Sequence, residues 1–392
     1  MTMHDREAAT FFHTYKRLPL EVARGEGVYL FTGDGKRYLD MFAGLAVNAL
    51  GYAHPRVVQA ICAQASRYTH LSNYFVQEPQ VRLAELLTGL SGYPKVFFSN
   101  SGTEAIEGAI KIARKWGATR GKSGILALSN SFHGRSMGAL SLMDRPRYRD
   151  GFGPFLPDCR VIPFNDTAAL RNSAGPGTAA VLIEFIQGEG GVRPVSADFA
   201  RTLAELQGES GFLLIADEIQ SGVGRTGKFF GFQHYPVSPD IVTLAKPIGG
   251  GLPLGAILAT EEVASVLEPG MHGTTFGGNP VACAAGAAVI EEIVEKKLVE
   301  RAATLGEHLK NGLRELAREF PGPMREVRGF GLMAGAELER SGEGIAAAML
   351  EKGILINCTD TTVLRFLPPL IIEGSHIDET LSALRGILAV LK

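Results

Sequence analysis

An acidic and a basic side chain end two neighbouring apolar segments of this chain. Asp217 closes the segment "FLLIAD", and Lys246 follows "DIVTLA" 29 residues later. Both segments have the composition of a strand that is covered on its two faces. An isolated charge at such a position is costly, so each residue needs a partner or a function. For either residue alone, an ion pair or a lysine that reaches solvent along its apolar stem is an adequate explanation.

A third polar segment, "NSGTEA" from Asn100 to Ala105, lies between an apolar run and a helical pattern. Ser101 supplies a hydroxyl group, Gly102 lets the backbone approach a ligand, and the first N–H groups of the helix point at an anion. An ordinary helix cap explains the same letters. Together, an amine, a carboxylate and a phosphate cradle meet the needs of pyridoxal phosphate, which requires a lysine for covalent attachment and an acid beside its ring nitrogen.

Short apolar segments that alternate with helix-length connections must position these residues. The pattern predicts an α/β fold with a mostly parallel sheet, a hairpin around Gly33–Gly35 and a smaller α/β region after about residue 284. Ligands of such sheets bind beyond the carboxyl ends of the strands. Polar residues follow the apolar segments at 99–103, 131–135, 184–189, 217–220 and 246.

Composition excludes several classes of protein. The net charge of −2 gives no basic face for nucleic acid, and no apolar stretch approaches the length of a membrane span. The four cysteines form no CxxC pair and the nine histidines form no HxxxH pair, so we expect no disulfide framework and no metal site. Without an apolar leader, a cytoplasmic location is expected. The motif "GVGRTG" (222–227) precedes aromatic residues and a proline, which disfavours a dinucleotide site.

The segment "IADEIQSGVGRTGKFFGFQHYPVSPDIVTLAKPIGGGLPLGA" resembles the class III (ω-amino acid) pyridoxal-phosphate aminotransferases of fold type I. The resemblance continues through "FFSNSGTEAIEGAIKIAR", "FHGRSMGALS", "QGEGGV", "HGTTFGGNPVACAAG" and "VLRFLPPLII", so it covers nearly the whole chain. It implies a seven-stranded, mostly parallel sheet in a large cofactor-binding domain (51–283). A small domain (284–392) would pack with an N-terminal segment (1–50).

The resemblance also implies roles for individual residues. Lys246 would form the Schiff base with the cofactor, Asp217 would hold the ring nitrogen, and Phe132 would stack on the ring. Other cofactor contacts would come from Ser101, Gly102, Thr103, His133 and Gln220, and from Thr275, which in this family reaches the phosphate bound by the partner subunit. A homodimer with shared active sites is therefore expected.

Two substrates would be recognised in turn. Arg365 would bind the α-carboxylate of glutamate or 2-oxoglutarate, and Arg135 would bind the distal carboxylate. Glu189 would neutralise Arg365 when the other substrate presents a terminal amine instead. Tyr15 and Thr274 are further substrate-binding candidates.

The length and motifs are most similar to the acetylornithine branch of the family. The expected reaction therefore moves the terminal amino group of N-acetylornithine, or of a related ω-amino acid, to 2-oxoglutarate. Ornithine, 4-aminobutyrate and carrier-linked amines remain alternative donors. An aminomutase of the same fold and a non-catalytic cofactor-binding protein are alternative functions.

Overall fold

The computed structural model describes residues 2–390 of the 392-residue chain. Its first elements are helix α1 (Met3–Thr10) and the antiparallel strands β1 (Val22–Glu26), β2 (Tyr29–Thr32) and β3 (Arg37–Asp40). Strands β2 and β3 form the predicted hairpin. The turn between them contains Gly35 at a φ of +86°, which glycine adopts without a steric penalty. A single turn, α2 (Ala43–Ala46), and the helices α3 (Pro55–Arg67) and α4 (Glu78–Ser91) follow.

The central part of the chain alternates strands with helices. The elements are β4 (Lys95–Ser99), α5 (Gly102–Ala118), β5 (Gly124–Leu128), α6 (Met137–Ser141), α7 (Pro146–Arg149), β6 (Cys159–Ile162), α8 (Thr167–Ser173), β7 (Thr178–Ile183), β8 (Ile186–Gln187), β9 (Arg193–Pro194), α9 (Ala197–Ser210), β10 (Leu213–Asp217), β11 (Ile241–Leu244), β12 (Gly255–Ala259) and α10 (Glu261–Ala264). Single 3-10 turns cover Gly231–His234 and Lys246–Gly249.

Seven of these strands form one sheet in the order β4-β12-β11-β10-β7-β5-β6. Strand β12 runs antiparallel to both of its neighbours and the other pairs are parallel, which confirms the predicted mostly parallel sheet. The edge strand β6 is not evident from the sequence pattern, because it has four residues and includes the exposed Arg160.

The last third of the chain is built from two long helices, short strands and a closing helix. The elements are α11 (Pro280–Glu295), α12 (Leu298–Glu319), β13 (Met324–Phe330), β14 (Met333–Leu338), α13 (Glu343–Glu351), β15 (Ile354–Leu355), β16 (Asn357–Thr359), β17 (Val363–Phe366) and α14 (Gly374–Val390). Strands β13, β14, β17 and β16 form an antiparallel sheet in that order. Strand β15 joins β3 in parallel, so the N-terminal strands share a sheet with this region. The domain boundary that we predicted at residue 284 falls inside α11.

The core lies on both faces of the seven-stranded sheet. Every residue of β7, β10, β11 and β12 is buried. Helix α5 packs one face with residues such as Ile106 and Ile110, and α9 and α11 contribute to the cluster on the other face. A strand that is covered on both faces holds the residue at its end in a fixed position. Asp217 is the last residue of β10, and Lys246 follows the end of β11. Between residues 2 and 390, no helix is both long and apolar enough to cross a membrane.

Candidate active site

A cavity of about 370 Å³ opens at the edge of the sheet where its parallel strands end. It brings together residues that are far apart in the sequence, and eight predicted site residues line it. They are Ser101, Gly102, Thr103, Phe132, His133, Asp217, Gln220 and Lys246. The segment 251–254, which precedes the antiparallel strand β12, closes part of the same edge.

Asp217 ends strand β10 and is 3% exposed. Its Oδ2 lies 2.7 Å from Nδ1 of His133, and its Oδ1 accepts a 3.1 Å hydrogen bond from the backbone N–H of Ile219. Because a carboxylate can only accept, the imidazole donates through Nδ1. The histidine therefore fixes the orientation of the Asp217 carboxylate at the cavity wall. The pair spans 84 residues of sequence, and no local pattern predicts it.

Lys246 follows strand β11, which pairs in parallel with β10. Its backbone has a φ of +48°, a left-handed conformation that non-glycine residues rarely adopt. Burial lowers the pKa of the Lys246 amine, although the carboxylates of Glu189 and Asp217 act in the opposite direction. A lowered pKa increases the fraction of neutral amine, which is the form that attacks a carbonyl or accepts a proton.

Helix α5 presents its N-terminus to the cavity. Ser101 caps the helix, and its Oγ accepts a 3.2 Å hydrogen bond from the N–H of Glu104. The first N–H groups of a helix have no intrahelical partner, so they are available to an anion. Gly102 lies close to Ile219, so that a Cβ atom there would come within 2.7 Å of Cδ1 of Ile219 and that side chain would have to shift. This helix start therefore has the properties of a phosphate site.

An aromatic and cationic group adjoins the cavity through Phe132, which lines it. The ring of Phe132 meets Tyr148 edge-on, with centroids 5.8 Å apart. The Arg135 guanidinium lies 3.9 Å from the centre of the Tyr148 ring and 5.3 Å from that of Phe132. Arg135 is exposed and makes no ion pair within residues 2–390. Arg135 thus presents a positive charge that a carboxylate of a substrate can pair with.

The second predicted arginine is held in an ion pair. Nη1 of Arg365 lies 2.6 Å from Oε1 of Glu189, and the two side chains are 1% and 24% exposed. Nη1 also donates to Oε1 of Gln220 at 3.3 Å. Burial acts to raise the pKa of Glu189, but the Arg365 guanidinium, together with Lys246 and Gln220, outweighs it, and this pKa lies below its ordinary value. The structure therefore joins Arg365 and Glu189 beside the cavity-lining Gln220.

Two further residues hold this site and were not singled out from the sequence. Oδ1 of Asn357 accepts hydrogen bonds from Nε and Nη2 of Arg365 at 3.0 and 2.7 Å. Glu184 lines the cavity and accepts from the N–H groups of Phe132 and Gly188 at 2.8 and 3.2 Å. Burial raises the pKa of Glu184 to about 7, and the neighbouring Asp217 adds to the effect. Glu184 belongs to the polar segment 184–189, so the sequence pattern could have indicated it. Asn357 lies outside all of the polar segments that follow the apolar runs.

Six predicted residues do not line the cavity itself: Arg135, Glu189 and Arg365, which are described above, and Tyr15, Thr274 and Thr275. Tyr15 is 73% exposed and lies in the N-terminal segment. Thr274 lies at the rim, where its Oγ1 accepts a 3.0 Å hydrogen bond from Nδ2 of Asn100. Thr275 is exposed next to it. The roles of these residues in binding stay predictions.

The residues present suit pyridoxal phosphate on structural grounds. The helix start at Ser101 can hold a phosphate, the Phe132 ring lines the wall, and Asp217 and Lys246 enter the same cavity from adjacent strands. A carboxylate fixed by His133 and a lysine of lowered pKa are the two groups that this cofactor requires.

Comparison with known proteins gives consistent matches across the chain. Residues 10–388 match the family described as aminotransferase class-III. The acetylornithine aminotransferase of Methanocaldococcus jannaschii is 46% identical over 391 residues, which cover 99% of this chain and 98% of the relative. That of Aquifex aeolicus is 46% identical over 379 residues, 96% of this chain and 99% of the relative.

Solved structures agree with this assignment of the fold. The acetylornithine aminotransferase of Elizabethkingia anophelis matches with a TM-score of 0.89 and 34% identity, over 99% of this chain and 98% of that one. The ornithine aminotransferase of Toxoplasma gondii matches with a TM-score of 0.95 and 32% identity, over 99% and 94% of the two chains.

Proposed function

Because the chain belongs to the class-III aminotransferase family, we propose that it moves the terminal amino group of N-acetylornithine to 2-oxoglutarate. The chain is a pyridoxal-phosphate-dependent aminotransferase. The acetylornithine aminotransferases of Methanocaldococcus jannaschii and Aquifex aeolicus are both 46% identical over nearly the whole chain, and this similarity favours the acetylated donor. The observation that carries the proposal is the ion pair of the buried Arg365 with Glu189 beside the cavity, together with Arg135, which makes no ion pair within residues 2–390.

The cofactor, when bound, supplies an electron sink that stabilises the negative charge left when a proton leaves the substrate carbon. Ser101, Gly102 and Thr103 would hold its phosphate, and Asp217 would hold its ring nitrogen. Lys246 would be the base that accepts this proton on its Nζ, because burial keeps more of its amine neutral. His133 keeps the Asp217 carboxylate in place through its 2.7 Å contact.

The arginines distinguish the two substrates. Arg365 binds the α-carboxylate of glutamate or 2-oxoglutarate after Glu189 moves aside, and Arg135 binds the distal carboxylate. With the ω-amine substrate, Glu189 stays on Arg365, since an unpaired buried guanidinium is costly. Arg135 then holds the amino-acid end of the donor. The greater exposure of Glu189 supports its role as the mobile partner.

We also propose a homodimer in which Thr275 completes the site of the partner subunit. Tyr74, Phe75 and Val76 are 96%, 63% and 92% exposed, which is unusual for three consecutive apolar residues. Asn73 links this segment to the loop that carries Thr275, because its Nδ2 donates to the carbonyl oxygen of Thr274 at 3.0 Å. A second copy that covers this surface would place the loop at a subunit boundary.

Mixing two variants, each expected to impair one part of the site, tests whether the site is shared. If Thr275 acts across the boundary, a heterodimer of Lys246→Ala and Thr275→Ala contains one site with both changes and one with neither. Activity then returns on mixing. If Thr275 acts within its own chain, every site keeps one defect, and mixing restores nothing.

A cytoplasmic location is proposed as well. Its support is that Cys62, Cys159, Cys283 and Cys358 are all free thiols, as is usual in a reducing compartment. Location of the tagged protein by cell fractionation tests it.

The substrate assignment is tested by following the two half-reactions separately. The visible absorbance of the cofactor-loaded protein should be lost rapidly with N-acetylornithine and slowly with ornithine or 4-aminobutyrate, and 2-oxoglutarate should restore it. Faster loss with another amine would move the assignment to that donor. Failure of 2-oxoglutarate to restore the absorbance would favour an aminomutase instead.

A further inference from the structure

Beyond the exchange of partners at Arg365 in the proposed function, we propose that strand β16 positions both members of the Arg365–Glu189 pair. In this arrangement Asn357 holds the guanidinium and Thr359 holds the backbone of Glu189. The inference rests on the proposed function, because it assumes that Arg365 receives the α-carboxylate of glutamate.

Asn357 faces Arg365 because of the register of the sheet. Strands β16 and β17 are antiparallel, and these two residues are direct partners in the pairing. A guanidinium has five N–H donors. The Asn357 amide oxygen accepts from Nε and Nη2 at 3.0 and 2.7 Å, and Nη1 donates to Glu189 and Gln220. The amide thus holds one edge of the guanidinium and leaves the Nη1 side for a carboxylate.

Thr359 points to the same face of β16, because side chains alternate along a strand. Its Oγ1 donates a 3.0 Å hydrogen bond to the carbonyl oxygen of Glu189. Nη2 of Arg145 donates to the same oxygen at 3.0 Å. Both lone pairs of this carbonyl are therefore occupied, and the Glu189 backbone is held from two directions. These two bonds hold the backbone and not the side chain of Glu189, which is 24% exposed.

The uncharged side chain of Asn357 suits its position beside Arg365. Asn357 is neutral, so it orients Arg365 without cancelling the charge that a substrate carboxylate must find. An aspartate in its place would compete for the guanidinium permanently. Glu189 can leave because Asn357 and Gln220 still occupy donors of the 1% exposed Arg365.

Variants of the strand separate the two half-reactions. Asn357→Ala should raise the KM for glutamate and for 2-oxoglutarate about tenfold, as expected for lost hydrogen bonds to a charged group. The limiting rate of that half-reaction and both constants for N-acetylornithine should stay within about twofold. Asn357→Asp, which has the same shape, should raise the KM for glutamate further. The dissociation constant of glutarate, a dicarboxylate that is not turned over, should rise in parallel by calorimetry.

Thr359→Val gives the reciprocal test. It should raise the KM for N-acetylornithine by roughly threefold, because the carboxylate that neutralises Arg365 is held less well, and should spare the glutamate half-reaction. Cys358→Ala is the matched control. Its side chain lies on the opposite face of the same strand and donates from Sγ to the carbonyl oxygen of Thr361.

The inference is wrong if Asn357→Asp and Asn357→Ala leave the KM for glutamate unchanged, or if both half-reactions weaken equally. If the Asn357→Ala protein does not fold, the KM of the Asn357→Asp variant, whose side chain has the same shape as asparagine, decides whether the inference holds. A wild-type protein that does not react with glutamate at all would contradict the proposed function instead, and that result is visible before any variant is made.

Discussion

Gly286 of helix α11 packs against the backbone of Ile248, two residues beyond Lys246. A Cβ atom at residue 286 would lie 2.3 Å from the carbonyl oxygen of Ile248. Because the obstacle is backbone, the two segments would have to separate. The turn that carries the reactive lysine is therefore positioned by direct contact with a helix on the face of the sheet.

Gly286→Ala should lower the free energy of unfolding by about 1–3 kcal/mol, as overpacking does, and should also lower kcat by displacing the turn after Lys246. Gly386→Ala is the matched control, since Gly386 lies inside helix α14 with open space around it. That change should raise the free energy of unfolding by about 0.5–1 kcal/mol. Denaturant unfolding at fixed protein concentration measures both, and equal effects of the two alanines would contradict the packing argument.

Asp217→Asn preserves shape and removes the charge beside the cofactor ring. We expect kcat to fall roughly 100- to 1000-fold, because a preorganised charge at the site of reaction is lost. Cofactor binding, followed by visible absorbance, should change much less. Asp198→Asn, at a side chain 71% exposed on helix α9, is the control. Retention of kcat within a factor of a few would remove Asp217 from the mechanism.

Glu189→Gln should separate the half-reactions in the direction opposite to Asn357→Ala. A neutral amide cannot compensate Arg365 when the ω-amine donor is bound, so the half-reaction with N-acetylornithine should slow. The half-reaction with glutamate should be retained or improved, because its carboxylate no longer competes with Glu189. Single-turnover absorbance changes report each rate, and equal losses in both would show that Glu189 does not alternate.

Burial raises the pKa of Glu184 to about 7. The folded protein then holds a proton on Glu184 up to about pH 7, while the unfolded chain releases it near the ordinary value of about 4.3. The stability that this proton contributes is complete below that value and is lost as the pH rises to 7, by up to about 1.4 kcal/mol per pH unit.

Glu184→Gln removes this titration. The difference in free energy of unfolding, wild type minus variant, should fall between pH 5 and 7 and level off above, as measured by denaturant unfolding at several pH values. Glu205→Gln, at a side chain 55% exposed, should give a difference that does not follow this course. A flat difference for Glu184→Gln would mean that this carboxyl is already ionised at pH 5.

Local patterns predicted the fold and most of the cavity lining, because buried strands leave continuous apolar runs and the reactive residues follow their ends. Lys246, Asp217 and the Ser101–Thr103 segment could be found in this way. Strand β6 was missed because it is short and at the edge. Asn357 could not be predicted, since its partner depends on the pairing register of β16 and β17.

Other relationships depend on tertiary structure alone. The contact between His133 and Asp217 joins residues that are 84 positions apart in the sequence, and the burial that raises the pKa of Glu184 arises only when the chain folds. The prediction for Tyr15 concerns a segment that lies away from the cavity in a single chain, so a sequence match cannot say what it contacts.

The left-handed backbone at Lys246, with a φ of +48°, sets a limit on the evolution of this protein. A non-glycine residue there costs about 1–2 kcal/mol relative to glycine. Libraries selected for thermal tolerance alone should therefore enrich Lys246→Gly, and every such clone should be catalytically dead. Because the proposed reaction requires this amine, changes that increase thermal stability should be sought at positions other than residue 246.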